Sequence, residues 1–324
     1  MSLTARLDRF QQRHPAAGFP LGVIYKFVDD QGSYLAALIT YYGFVSLFPL
    51  LLLLTTILGF VLRGNPDLQH RILNSTLSQF PVIGDQLASP RGLRGNGFGI
   101  TVGILGSLYG GLGVAQATQN AMNVAWAVPR NQRPNPLKSR ARSLLLLATV
   151  GLGVLATTVM SALGSSAGAY GAQIGLTFKV LITIASVVIN AGIFLLAFRI
   201  ATAADVSYRD IAPGALLAAV FWQLLESLGT AYVGHVVKNA SATDGVFALV
   251  LGLIAWIYLA SVGVVLCIEV NVVRAHKLFP RALLTPFTDD VDLTGADESA
   301  YRSQAKAQRA KGFERVEVHF DDPE

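Results

Sequence analysis

From Leu35 to Leu62 the chain runs without one Asp, Glu, Lys, Arg or His. A helix of that length, rising about 1.5 Å per residue, crosses a hydrocarbon layer of about 30 Å with some tilt. Five further apolar stretches follow, at about 98–128, 143–163, 174–200, 213–237 and 246–273. The pattern predicts an all-α, polytopic membrane protein: an arm over residues 1–34, a bundle of six transmembrane helices over 35–273, and a tail over 274–324.

Three segments lie outside the spans. In the arm, Leu3, Leu7 and Phe10 recur at helical spacing while Arg6, Arg9 and Arg13 take other faces. That fits an interfacial helix on an anionic leaflet and fits a solvated charged helix equally well. The link from Arg63 to Gly97 carries Leu68, Ile72, Leu73, Leu77 and Phe80 before Pro81, which predicts an amphipathic segment at the outer surface, a packed loop in preference to a lid. Beyond Leu284 the tail turns acidic and then mixed, predicting a largely disordered cytoplasmic tail with one weak helix from Asp297 to Lys311.

Composition excludes a soluble globule, since 52% of residues are hydrophobic, 14% are charged and the mean hydropathy is +0.50. The first apolar stretch is too long for a cleaved signal peptide, so it is expected to remain as an anchor. With Cys267 as the sole cysteine, no disulfide or cysteine zinc site forms within one chain. A net charge of +5 would point to nucleic acid in a soluble protein, but here the basic residues sit between the spans and set topology. Nineteen Lys and Arg fall in the arm, the second and fourth links and the tail, against six on the opposite face. The positive-inside rule then places both termini in the cytoplasm and makes the protein multi-pass in a plasma membrane.

Polar groups inside the spans are the candidate functional residues. Along the second span, Gly97, Gly99, Gly103, Gly106 and Gly110 make a close-packing ladder, after which Gln116, Gln119, Asn120 and Asn123 fall on one stripe. Unsatisfied amides in lipid would each cost on the order of several kcal/mol, so the stripe should face other helices or a wet cavity. Interhelical glue and a substrate path fit it equally. Glu226 lies thirteen residues after Pro213, about 20 Å into the fifth span, with Gln223 on the same side. A carboxylate at that depth should face the interior with a partner or a proton. Glu269, nearer the cytoplasmic end, is expected to form an interface-level salt bridge with Asn271 and Arg274 at hand. Asn190 of the fourth span joins the same polar network. Tyr41, Tyr42 and Ser46 precede Pro49, whose missing N–H kinks a helix, a gate or a static bend.

Catalytic signatures are missing from the sequence: no phosphate-binding Gly-x4-Gly-Lys-Ser/Thr, no Gly-x-Ser-x-Gly, no His-Glu-x-x-His. The histidines, at 14, 70, 235, 276 and 319, are scattered. No enzyme activity, cofactor, metal site or nucleic-acid partner is expected.

The run from Ala36 to Leu50, the amides ending in Asn123 and Trp126, the Pro213–Gly214 entry to the fifth span, and the closing run from Ala255 through Glu269 to Asn271 together resemble the bacterial YihY/virulence factor BrkB family. The resemblance covers about residues 20–280 and departs at Thr243–Gly245, where an aromatic is expected before the glycine. It implies a six-helix inner-membrane protein of envelope integrity, in some members tied to serum resistance or to lipid precursors. The family's former ribonuclease label finds no acidic cluster or His/Lys constellation here to cleave a phosphodiester. The expected function is binding or moving a lipid or lipid-linked envelope precursor, with membrane lipids or a glycolipid cargo as partners and self-association left open. An ion-coupled small-solute transporter using Glu226 and a non-transporting scaffold are the competing expectations.

Overall fold

The structure, a computed structural model, describes residues 3–61, 97–165, 172–236 and 242–320. The expected amphipathic segment at 63–97 falls almost wholly outside them. Among the described residues the regular structure is helical: α1 (Leu3–Arg13), α2 (Pro15–Asp29), α3 (Gly32–Val61), α4 (Gly97–Ala125), α5 (Pro136–Ser165), α6 (Ala172–Ala201), α7 (Tyr208–Val236), α8 (Ala242–His276) and α9 (Gly295–Ala307).

Helices α3 to α8 run alternately up and down. Tyr42, Ser46 and Pro49 of α3 meet Gly113, Gly110 and Gly106 of α4, so these two helices are antiparallel. Leu147 of α5 packs at Gly111 of α4, and Ile193 of α6 at Gly153 of α5. Phe221 of α7 fills the space at Gly263 of α8, while Ile257 of α8 sits at Gly43 of α3. Each helix therefore touches its sequence neighbours, and α8 returns to α3, closing a ring across which contacts are sparse. The glycines admit this because a backbone without Cβ lets the partner helix approach.

Among the described residues, four helices carry a stretch long and apolar enough to cross a membrane: Pro136–Thr157, Val180–Ala201, Tyr208–Gly229 and Val250–His276. The described apolar part of α3 is shorter, Gly32–Leu47. In α4 the glycines and amides dilute the apolar character that length alone would give.

The tightest core lies at one end of the ring, where Met122, Phe198, Ile211 and Ile268 are fully enclosed. The described arm and tail pack there, and we term it the capped end. Two helices stop at that end with a left-handed residue: Ala127 after α4 (φ 50°) and Lys277 after α8 (φ 53°). The amides of Val128 and Leu278 then bond back to the carbonyls of Asn123 and Val273, satisfying helix-end acceptors.

The arm and the tail differ from expectation. α2 is part of the core, with Val23, Tyr25 and Lys26 buried against the rest of the capped end, while Leu7 and Phe10 of α1 and Ile24 and Val28 of α2 are exposed. The tail is docked as well, where sequence predicted a largely disordered segment. α9 begins in a capping box between Thr294 and Asp297 and buries Asp297, Ala300 and Ala307. Aliphatic periodicity is weak there because the docking is ionic.

Candidate functional site

The end of α2 carries the hub of the capped end. Tyr25, Lys26, Asp29 and Asp30 follow one another within two helical turns and face two partners. Towards the bundle, Lys26 is buried, pairs with Asp30 and donates to the Ala125 carbonyl at 3.1 Å. Its Nζ also lies 3.9 Å from Oε2 of Glu269, which is wholly enclosed on α8. Neither carboxylate oxygen of Glu269 receives a hydrogen bond among the described residues. Burial pushes the Asp30 carboxyl up from its ordinary value, and Lys26 opposes that push.

Towards the tail, Arg281 is completely buried between Asp29, at 2.9 Å, and Asp297, with Tyr25 and Tyr301 flanking its guanidinium at 5.9 and 5.3 Å. Asp297 also accepts from the amides of Ala282 (2.9 Å) and Thr294 (3.0 Å), so one carboxylate neutralises Arg281 and caps α9. Gln304 donates to the Asp29 carbonyl at 2.7 Å, and Asp8 accepts from the Leu283 amide at 2.8 Å.

A cavity of about 350 Å³ opens beside this hub, between α5 and the link from α6 to α7. Arg142, Leu145, Arg199, Ile200, Thr202 and Asp205 line it. Arg142 Nη1 donates to the Thr202 carbonyl at 3.2 Å, and Arg199 lies 3.6 Å from the fully exposed Asp205. Asn123 accepts from the Ala203 amide at 2.9 Å, and Thr202 Oγ1 from the Ala204 amide at 3.1 Å.

The residues singled out from sequence divide among several places. Gln119 bonds Ser143 (2.8 Å) and the Ser139 carbonyl (3.2 Å) of α5, and Asn123 holds the α6–α7 link. Asn120 accepts from Arg133 at 3.4 Å, whereas Gln116 is exposed. The four amides thus do not share one environment. Glu226 is half-buried and accepts from Trp222 Nε1, one turn back on α7, at 3.0 Å, with Gln223 half-buried beside it. Asn190 is buried on α6. Tyr42, Ser46 and Pro49 form the seam with α4, and Tyr41 is exposed on the outside of α3.

Glu269 has an ion pair, with Lys26, and not with the partners expected from its sequence neighbours. Asn271 instead accepts from the Gly214 amide at 2.7 Å, and Arg274 donates to the Arg209 carbonyl at 3.1 Å, so neither reaches the carboxylate. Lys26 takes their place because α2 folds into the core. The Lys26/Asp30 spacing of four residues was a legible signal of a helical ion pair. That Arg142 and Arg199 converge was not visible, since they are distant in sequence and their charges read as topology.

An up-and-down helical bundle with several apolar helices of membrane-spanning length is the architecture of an integral membrane protein. The chain belongs to the virulence factor BrkB family, whose model matches residues 23–287. It is 22% identical over 263 residues to the putative ribonuclease-like protein YfkH of Bacillus subtilis (strain 168), an alignment covering 78% of this chain and 93% of YfkH. No solved structure matches it. The ribonuclease-like name belongs to YfkH, and identity at that level carries no activity to this chain.

Proposed function

We propose that the protein spans the bacterial plasma membrane six times, with both termini in the cytoplasm, and binds or moves a lipid or lipid-linked envelope precursor. The packing of arm and tail at one end supports an even number of crossings. The excess of Lys and Arg on that side supports its being cytoplasmic.

The observation that carries the choice of cargo is the way the interior polar groups are used. A solute path needs a continuous line of polar side chains through the bundle. Gln119 and Asn123 are instead tied to protein groups at the capped end. Glu226 is twelve residues along α7 from Gly214, which packs at Cys267 and Asn271 on either side of Glu269. The two carboxylates are thus separated by about 18 Å along the bundle axis. What the helices offer at mid-depth is apolar surface: Leu105 and Leu108 of α4, Leu152 and Leu155 of α5, Leu181, Ile184 and Val188 of α6 are exposed. Such a wall suits an amphiphile that keeps its tail in the bilayer.

Reconstitution into vesicles carrying a fluorescent phospholipid tests this. Faster exchange of the lipid between leaflets than in protein-free vesicles is expected of a mover, and stoichiometric lipid retained through purification of a binder. A protein that does neither refutes the proposal.

A further inference from the structure

We infer that Arg142 and Arg199 form a clamp for the phosphate-bearing headgroup of an anionic membrane lipid, which rests on the lipid reading above and assigns the headgroup its place. Depth is the first observation. Arg142 is six residues into the apolar stretch of α5 and Arg199 two residues from the end of that of α6, both at the capped end. α5 runs away from that end and α6 towards it, so Leu145, three residues after Arg142, and Leu196, three before Arg199, both lie one turn deeper. Both leucines are exposed. On each helix an arginine therefore stands at headgroup level above an apolar residue at acyl-chain level, the arrangement by which basic pockets between transmembrane helices hold anionic lipids.

Charge and geometry carry the chemistry further. A guanidinium has five donors in a rigid fork suited to phosphate oxygens. Arg142 gives one of them to the Thr202 carbonyl at 3.2 Å, an anchor that orients the rest of the fork. Among the described residues Arg199 pairs with Asp205 alone, at 3.6 Å, through a carboxylate that is fully exposed. Solvent-exposed pairs of this kind are weak, so a phosphate can displace Asp205. The backbone amides of Ala203 and Ala204 are already bonded to Asn123 and Thr202, which leaves recognition to the two side chains. The cavity, about 350 Å³, has the size of a small-ligand site and admits a headgroup. It is lined by two guanidiniums against one carboxylate, which selects for an anion.

The test uses the full chain in nanodiscs and in mild detergent, with phosphatidylglycerol, phosphatidylcholine and inorganic phosphate as probes and native mass spectrometry as readout. Wild type should retain phosphatidylglycerol in preference to phosphatidylcholine. Arg199→Gln should lower that retention about tenfold with an unchanged melting temperature, Arg142→Gln with Arg199→Gln should lower it further, and Asp205→Asn should raise it. Arg199 is partly exposed, so its variant remains informative if the double variant fails to fold. Equal retention by wild type and Arg199→Gln overturns the clamp while leaving the lipid function standing. Displacement of the lipid by inorganic phosphate at comparable concentration would overturn it in favour of a soluble phosphate ligand. Wild type that retains no lipid and exchanges none overturns the underlying function as well.

Discussion

Asp297→Ala should undock the tail. Asp297 is fully buried and holds Arg281, the Ala282 amide, the Thr294 amide and the Thr294 hydroxyl, the last at 2.7 Å. Its loss leaves Thr294 as the N-cap but removes the carboxylate half of the capping box, and leaves a buried guanidinium with Asp29 as its one remaining ion-pair partner among the described residues. Removing one member of a buried ion pair costs about 3–5 kcal/mol. Taken as a local opening free energy, that is about a 10²- to 10⁴-fold rise in the open population. Trypsin reports it directly, because Arg302, Lys306, Arg309 and Lys311 become cleavable when α9 leaves the bundle. The control is Arg302→Gln, which breaks an exposed pair with Glu298 (2.8 Å) worth less than about 0.5 kcal/mol and should barely change cleavage elsewhere in the tail. Equal cleavage of Asp297→Ala and wild type would refute the ionic docking.

Lys26→Met should destabilise the detergent-solubilised protein by about 3–5 kcal/mol, since Asp30 and Glu269 would stay buried without their ammonium, whereas Glu269→Gln should be neutral or stabilising; thermal melts decide. Gly214→Ala should cost about 1–3 kcal/mol or more, because a Cβ there collides with the Cys267 carbonyl and Asn271, and an unchanged melt would contradict the α7–α8 seam. Burial raises the phenols of Tyr25 and Tyr301 above the ordinary 10.0. The unfolded chain then releases those protons first as pH rises, so their stabilisation, complete below that value, is lost through the folded values. Melting temperature should fall as pH rises above 10.0, with a shallower slope in Tyr301→Phe; identical slopes would contradict the assignment. Glu226→Gln should keep the contact with Trp222 and leave lipid exchange intact, whereas loss of exchange with folding preserved would give Glu226 a titrating role.

The apolar pattern made the long helices legible because a span has few ways to satisfy its backbone other than as a helix. Boundaries moved where polar residues belong to a helix: α5 starts at Pro136, ahead of the apolar run at 143, and α7 at Tyr208, ahead of Pro213. The glycine ladder of α4 was read correctly as a packing face, since Gly106 and Gly110 receive Pro49 and Ser46. Periodicity could not show the capped end. Arg281, Asp29 and Asp297 are joined across more than 250 residues of chain by charge alone, and such pairing leaves no local signature. Glu269 has other partners than its sequence neighbours, because Asn271 and Arg274 bond to α7 while Lys26 arrives from the arm.

A density map of the protein in lipid nanodiscs would show whether a lipid is held between α5 and α6. A lipid should lie against α5 and α6, its headgroup at Arg142 and Arg199 and its chains along Leu145 and Leu196. A water-filled channel running past Gln223 and Glu226 to the capped end, with no lipid held at the arginines, would contradict it.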